Sequence, residues 1–66
     1  MKFEVTAYAN ELSGQRIVEA SNIDEAQAMF GDLMLRYTFL NLDFFGLHRV
    51  VLKSSKIDGF TIREVL

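Results

Sequence analysis

A capped helix start about a third of the way along the chain divides the sequence into two parts. Asn22 precedes Ile23, and its side-chain oxygen can accept a hydrogen bond from a free amide of the first turn, while Glu25 can reach back to the amide of the cap residue. Apolar residues then recur at steps of three or four, which is the period of one helix face. They are Ile23, Ala26, Phe30, Leu33, Tyr37 and Leu40. The pattern predicts a helix from Ile23 to about Tyr37. Gly31 within it either breaks the helix or, in the simpler interpretation, allows a close approach of the helix to the sheet.

The residues before the helix have the pattern of a hairpin. Residues 2–9 alternate between apolar and polar side chains, as a half-buried strand requires. Turn-forming residues follow at 10–14, where Gly14 can adopt the positive φ that closes a loop. Residues 15–20 then form a second strand, with Val18 and Ala20 facing inward and Arg16 along the same face.

The residues after the helix predict two more strands. Residues 47–54 have an apolar centre and basic ends, Asp58-Gly59 is a strong hairpin-turn signal, and residues 60–66 alternate again. We therefore predict a single α+β domain over residues 1–66, in the order ββαββ, with a mainly antiparallel four-stranded sheet and one principal helix on one face. Residues 38–46 fit a strand, a short second helix or a loop.

Length and composition exclude several classes of protein. A chain of 66 residues buries only about 60% of the surface that its unfolded form exposes. It has no cysteine and a single histidine, His48, so a zinc-finger type of site cannot form, and no glycine-rich phosphate loop is present. We expect neither a metal nor a cofactor. No apolar run is long enough to span a membrane and no targeting signal is evident, so we expect a cytoplasmic protein.

His48 could act as the base of a small hydrolase, with a nucleophile and an orienting group supplied by Ser54, Ser55 and Asp58. Residues 48 and 54 on one strand would, however, lie roughly 20 Å apart at about 3.3 Å per residue. We therefore predict that the chain is not an enzyme.

A basic stretch gives the main alternative function. Residues 47–57 contain no acid, and their basic side chains are His48, Arg49, Lys53 and Lys56. Such a strand could contact nucleic acid. We favour a second interpretation, a solvated edge strand on which lysine prevents pairing with other chains, and a pI near 5.2 supports it.

The apolar segment from Phe39 to Leu47 is the sharpest feature of the sequence. It holds six large hydrophobic residues, namely Phe39, Leu40, Leu42, Phe44, Phe45 and Leu47. One reading is that they complete the core, and the other is that some stay exposed and form an interface. In the second reading Phe39, Leu42, Phe44 and Phe45 bind a protein partner. The same residues would also close a twofold homodimer.

The residues from Val18 to Ala26 resemble the strand-to-helix junction of many small phage, plasmid and mobile-element proteins, including DpnD-like proteins and some anti-CRISPR inhibitors. This resemblance implies a phage-type origin and brings no catalytic motif. Together with the absence of site chemistry, it leads us to expect a small non-enzymatic module that binds a macromolecular partner and blocks or modulates it.

Overall fold

The described residues of the protein form an antiparallel five-stranded sheet and one α-helix. The structure, a computed structural model, describes residues 1–44 and 48–65. Its elements are β1 (Lys2–Ala9), β2 (Leu12–Glu19), α1 (Ile23–Arg36), β3 (Phe39–Phe44), β4 (His48–Lys53), a 3-10 turn (Ser54–Lys56) and β5 (Gly59–Val65). The strands lie in the order β4-β3-β2-β1-β5. The α+β class with a single helix is confirmed, but the order is ββαβββ rather than ββαββ, because residues 39–44 form a strand of their own.

The first hairpin turns earlier than the sequence indicated. Ala9 pairs with Leu12, so Asn10 and Glu11 form the turn. Asn10 has a φ of 57°, a left-handed conformation that asparagine tolerates better than most residues. The prediction that Gly14 closes this loop is therefore wrong, because Gly14 lies inside β2 and pairs with Ala7.

Gly14 marks the place where the sheet curls. It is buried on the inner face of β2, and Val50 belongs to β4, two strands away. Flat neighbouring strands would place these two residues about 10 Å apart. A Cβ atom built on Gly14 would nevertheless lie only 3.3 Å from the Cβ of Val50. The β3–β4 hairpin therefore folds over β2, and the glycine makes room for it.

The helix begins at the predicted cap. Asn22 Oδ1 accepts a hydrogen bond from the Glu25 amide at 2.8 Å. Glu25 Oε1 accepts from the Ser21 amide at 3.3 Å, one residue before the predicted partner. The helix ends at Arg36, and Tyr37 is its C-cap. The interpretation of Gly31 as a close approach is wrong, because a Cβ atom there would meet nothing within 4 Å.

The core lies between the helix and the inner face of the sheet. Ala26 and Phe30 are the fully buried residues of α1, and the ring of Phe30 packs against that of Phe60 with centroids 4.9 Å apart. The sheet contributes the predicted inward residues of β1 together with alternate residues of β2, β3 and β4. They are Phe3, Val5, Ala7, Ala9, Val18, Leu40, Leu42, Val50 and Leu52.

The strands β4 and β5 lie at opposite edges of the sheet, so the predicted hairpin through Asp58-Gly59 is wrong. Residues 54–58 instead carry the chain from one edge to the other. Ser54 holds the start of this crossing, with its amide donating to Thr38 O at 2.8 Å. Asp58 holds its end, because its amide donates to Tyr8 O at 2.8 Å and its Oδ2 accepts from the Asn10 amide at 3.2 Å.

The outer face of the sheet, away from the helix, is left uncovered by the described residues. There Arg63 of β5 donates to Glu4 of β1, with Nε and Oε1 3.0 Å apart. This hydrogen bond, with the attraction of the opposite charge, raises the pKa of Arg63 above its ordinary value. Within the described ranges, no helix is both long and apolar enough to cross a membrane.

Candidate interaction groove

Strands β2 and β3 are neighbours in the sheet, but among the described residues they pair at a single position, Gln15 with Asp43. By contrast, β1 and β2 pair over eight positions, and β3 and β4 over six. Arg16 with Leu42 and Ile17 with Asn41, which would continue the β2–β3 register, do not form pairs. The two strands therefore diverge from Gln15 towards residues 19 and 39.

This divergence leaves part of the β2 backbone without a strand partner. In an antiparallel hairpin with a two-residue turn, the closing pair exchanges hydrogen bonds, and alternate residues face alternate neighbours. Ala9 and Leu12 are the closing pair here. The backbone groups that point to β1 are therefore those of Leu12, Gly14 and Arg16. Ile17 and Glu19 direct theirs to the other side, where β3 has moved away.

Helix α1 lines the space between the diverging strands. We call this space the β2–β3 groove: residues 16–19 of β2, residues 39–41 of β3, and Met29, Leu33 and Tyr37 of the helix and its cap. It consists of two adjoining cavities of about 360 and 180 Å³, and both are lined by Arg16 and Leu33. The groove therefore has backbone edges along its sides and a largely apolar helix wall.

Large apolar side chains surround the groove and remain in water. Ile17 is 51% exposed, Met29 40%, Tyr37 55% and Phe39 58%. Isolated exposed hydrophobic residues are normal, but several around one concave space are typical of interaction sites. In the groove such residues lie beside the part of the β2 backbone that has no strand partner.

Arg16 is the cation of the groove. Its position opposite Val5 confirms the predicted inward face, and its side chain is exposed. Its Nη1 donates to Asn41 O at 3.4 Å, which is long against a usual range of about 2.7–3.2 Å. Asp32 also lines the groove, but its carboxylate is held by Arg36 at 2.8 Å. In the part of the chain that the structure describes, no carboxylate forms an ion pair with Arg16.

The structure divides the predicted partner-binding residues between core and surface. Phe39 is exposed at the groove, whereas Leu42 is only 2% exposed and packs in the core, so a partner cannot reach it in the folded chain. Phe45 and the side chain of Phe44 lie outside the described residues. The role of Phe39 in binding stays a prediction.

The predicted nucleic-acid residues lie along the β4 edge and beyond it. Arg49 and Lys53 are exposed on the outer face, opposite Asp43 and Phe39 respectively, and about 13 Å apart along the strand. His48 begins β4, and Lys56 is exposed in the 3-10 turn. The structure therefore spreads these residues along an edge and places an acid beside Arg49.

The residues considered for a hydrolase have structural partners. The Ser54 hydroxyl donates to Tyr37 O, and Asp58 binds the Asn10 amide. Ser54 follows β4 at the end opposite to His48. Among the described residues, no three His, Asp or Glu side chains come together as metal ligands would.

Sequence reasoning did not identify the groove. Of its residues it had placed Phe39 at an interface, but not Ile17, Met29 or Tyr37. The available signal was Ile17, an apolar residue on the outer face of a strand whose inner face already holds Val18. Its meaning depends on the loss of pairing with β3, which no local pattern predicts.

The comparisons with known proteins add no relative. No protein-family model matches the chain, and neither the curated proteins nor the solved structures that were compared contain a match.

Proposed function

We propose that this chain is a small non-enzymatic interaction module that binds a protein partner through the β2–β3 groove and blocks or modulates it. The observation that carries the proposal is the set of exposed apolar side chains around the groove, with Phe39 among them. Burying a phenylalanine or isoleucine side chain fully is worth about 1.5–3 kcal/mol. Half-exposed residues of this kind therefore offer a partner substantial binding energy. The resemblance of residues 18–26 supports a phage or mobile-element origin.

The test is a selection of binding peptides against the immobilised protein. Random linear peptides displayed on phage are selected on the wild type, and the enriched sequences are measured against two variants. Phe39→Ser removes a 58% exposed ring from the groove, while Leu12→Ser removes a 57% exposed side chain at the β1–β2 turn, outside it. We expect Phe39→Ser to weaken binding by about tenfold or more and Leu12→Ser to leave it unchanged. Enrichment no greater than on a blank surface, or equal loss in both variants, would refute the proposal.

A second candidate function is nucleic-acid binding by the outer face of β4. It is favoured by one observation, the exposure of Arg49 and Lys53 on the same side of an edge strand. Filter binding of single- and double-stranded DNA and RNA across a salt series tests it. Affinity that falls steeply with salt and is lost in an Arg49→Gln, Lys53→Gln double variant would support this candidate. The absence of binding at low salt would refute nucleic-acid binding by β4.

A further inference from the structure

The β2–β3 groove presents an incoming chain with the backbone of a sheet edge. Ile17 and Glu19 direct their amide and carbonyl groups into it, two residues apart, and β3 does not pair with them. Such groups need donors and acceptors at the same spacing, and an extended chain supplies them at every second residue. We infer that the groove takes an extended peptide segment, which pairs with β2 over residues 17–19. This inference rests on the proposed function, because it names the kind of partner that the same site binds.

The side chains of the groove define the pattern of that segment. In an extended chain, alternate side chains point to the same face. Those on the helix side of the segment come to lie beside Arg16 and Val18 of β2, against the groove wall formed by Met29 and Leu33. The position beside Val18 therefore takes a large apolar side chain, and the position two residues away, beside Arg16, takes a carboxylate. The side chain between them lies on the outer face beside Ile17, where a β-branched residue packs well.

The charge of Arg16 is what selects the carboxylate. The guanidinium has one long hydrogen bond, to Asn41 O at 3.4 Å, and it forms no ion pair within the described residues. A carboxylate can accept two parallel hydrogen bonds from a guanidinium. Each of these bonds is shorter and stronger than a hydrogen bond to a neutral carbonyl. Glu19 lies at the other end of the groove and repels a second acid there. The segment therefore has one register, with its acid beside Arg16.

The free edge of β4 is a poorer place for such a segment. Its outer face carries Arg49 and Lys53, and charged side chains on an edge strand oppose pairing with another chain. The groove edge carries Ile17 and a single charge, that of Glu19, on its outer face, whereas the two cations of β4 flank Val51. Of these two edges, the groove is therefore the better place for an extended segment.

The test is a titration of the nitrogen-15-labelled protein with a capped heptapeptide, followed by amide NMR. The core of the peptide is a glutamate and a leucine separated by one central valine. Threonine and valine residues flank this core. We expect the Ile17 and Glu19 amides to shift and to exchange more slowly with water, because they become hydrogen-bonded. A peptide with lysine in place of glutamate, or proline in place of the central valine, should bind about tenfold or more weakly. The Arg16→Glu variant should reverse the preference and bind the lysine peptide better, while Arg49→Glu, the same charge change outside the groove, should bind as the wild type does.

Each contrary result points to a different failure. If the peptides shift Tyr37 and Phe39 but leave exchange at Ile17 and Glu19 unchanged, and the proline peptide binds equally well, the groove binds a partner that is not an extended strand. That outcome overturns this inference and leaves the proposed function standing. If no peptide shifts any groove residue at millimolar concentration, the inference is again overturned, and the phage selection decides the proposed function separately.

Discussion

Gly14 and Leu42 lie so close together that a Cβ atom on the glycine would be 2.6 Å from the Cβ of the leucine. Real side chains do not make contacts this short, and the leucine atom is next to the backbone, where it cannot rotate away. We therefore expect Gly14→Ala to lower the free energy of unfolding by about 1–3 kcal/mol, the usual range for overpacking a core. Urea unfolding followed by circular dichroism measures the change. Unaltered or increased stability would show that the β3–β4 hairpin does not fold over β2 as described.

Gly31 supplies the matched control with the opposite sign. It lies in the interior of α1, and a Cβ atom on it meets nothing within 4 Å. Alanine is favoured over glycine in a helix by about 0.5–1 kcal/mol, so Gly31→Ala should raise the free energy of unfolding by that amount. The same urea series, run on both variants, compares them directly. A destabilised Gly31→Ala variant would mean that some group does pack against this side of the helix.

Asn22 should contribute to stability through its cap. Its Oδ1 accepts the Glu25 amide at 2.8 Å, and Asn22→Ala leaves that amide without its partner. The expected loss is about 1 kcal/mol, within a range of about 0.5–2 kcal/mol for such caps. Ser21→Ala is the control, because Glu25 binds the backbone amide of Ser21 and that amide is kept. Thermal unfolding should separate the two variants, and equal midpoints would argue against the cap.

The twofold dimer predicted from the apolar segment now depends on Phe39. Leu42 is buried in its own chain, so the exposed ring of Phe39 is the described residue of that prediction that a second copy could cover. We expect sedimentation equilibrium at micromolar concentration to give a dimer, and Phe39→Asp to give a folded monomer with an unchanged circular dichroism spectrum. A monomeric mass for the wild type would contradict the dimer. Loss of the folded spectrum in Phe39→Asp would show that the ring supports the fold instead.

Local patterns predicted the parts of the fold that local physics determines. The inward residues of β1 follow from strict alternation, and the helix start follows from the cap at Asn22. The range 39–44 was ambiguous because Leu40 and Leu42 satisfy a strand alternation while Leu40 also continues the helix period from Phe30 and Leu33. The structure places both leucines on the inner face of β3.

The errors concern contacts between residues far apart in sequence. Asp58-Gly59 is a good turn signal, but it cannot indicate whether the flanking strands are neighbours or lie at opposite edges, as they do. In the sequence, Gly14 has the properties of a loop residue. Its place inside β2 is explained only by the β3–β4 hairpin, which folds over it. The groove has the same origin, since it exists because the described residues of β2 and β3 do not pair beyond Gln15 and Asp43, on the side of Ile17 and Asn41.

The position of β1 in the sheet has a consequence for the order in which the chain folds. It pairs with β2, which follows directly, but also with β5, whose residues 59–65 are synthesised long afterwards. Pairings of such large sequence separation form slowly. During synthesis, the edge of β1 that β5 will cover stays open to pairing with other nascent chains. We therefore expect this small domain to fold late for its size, with a yield in the cell that depends on how quickly residues 59–65 leave the ribosome.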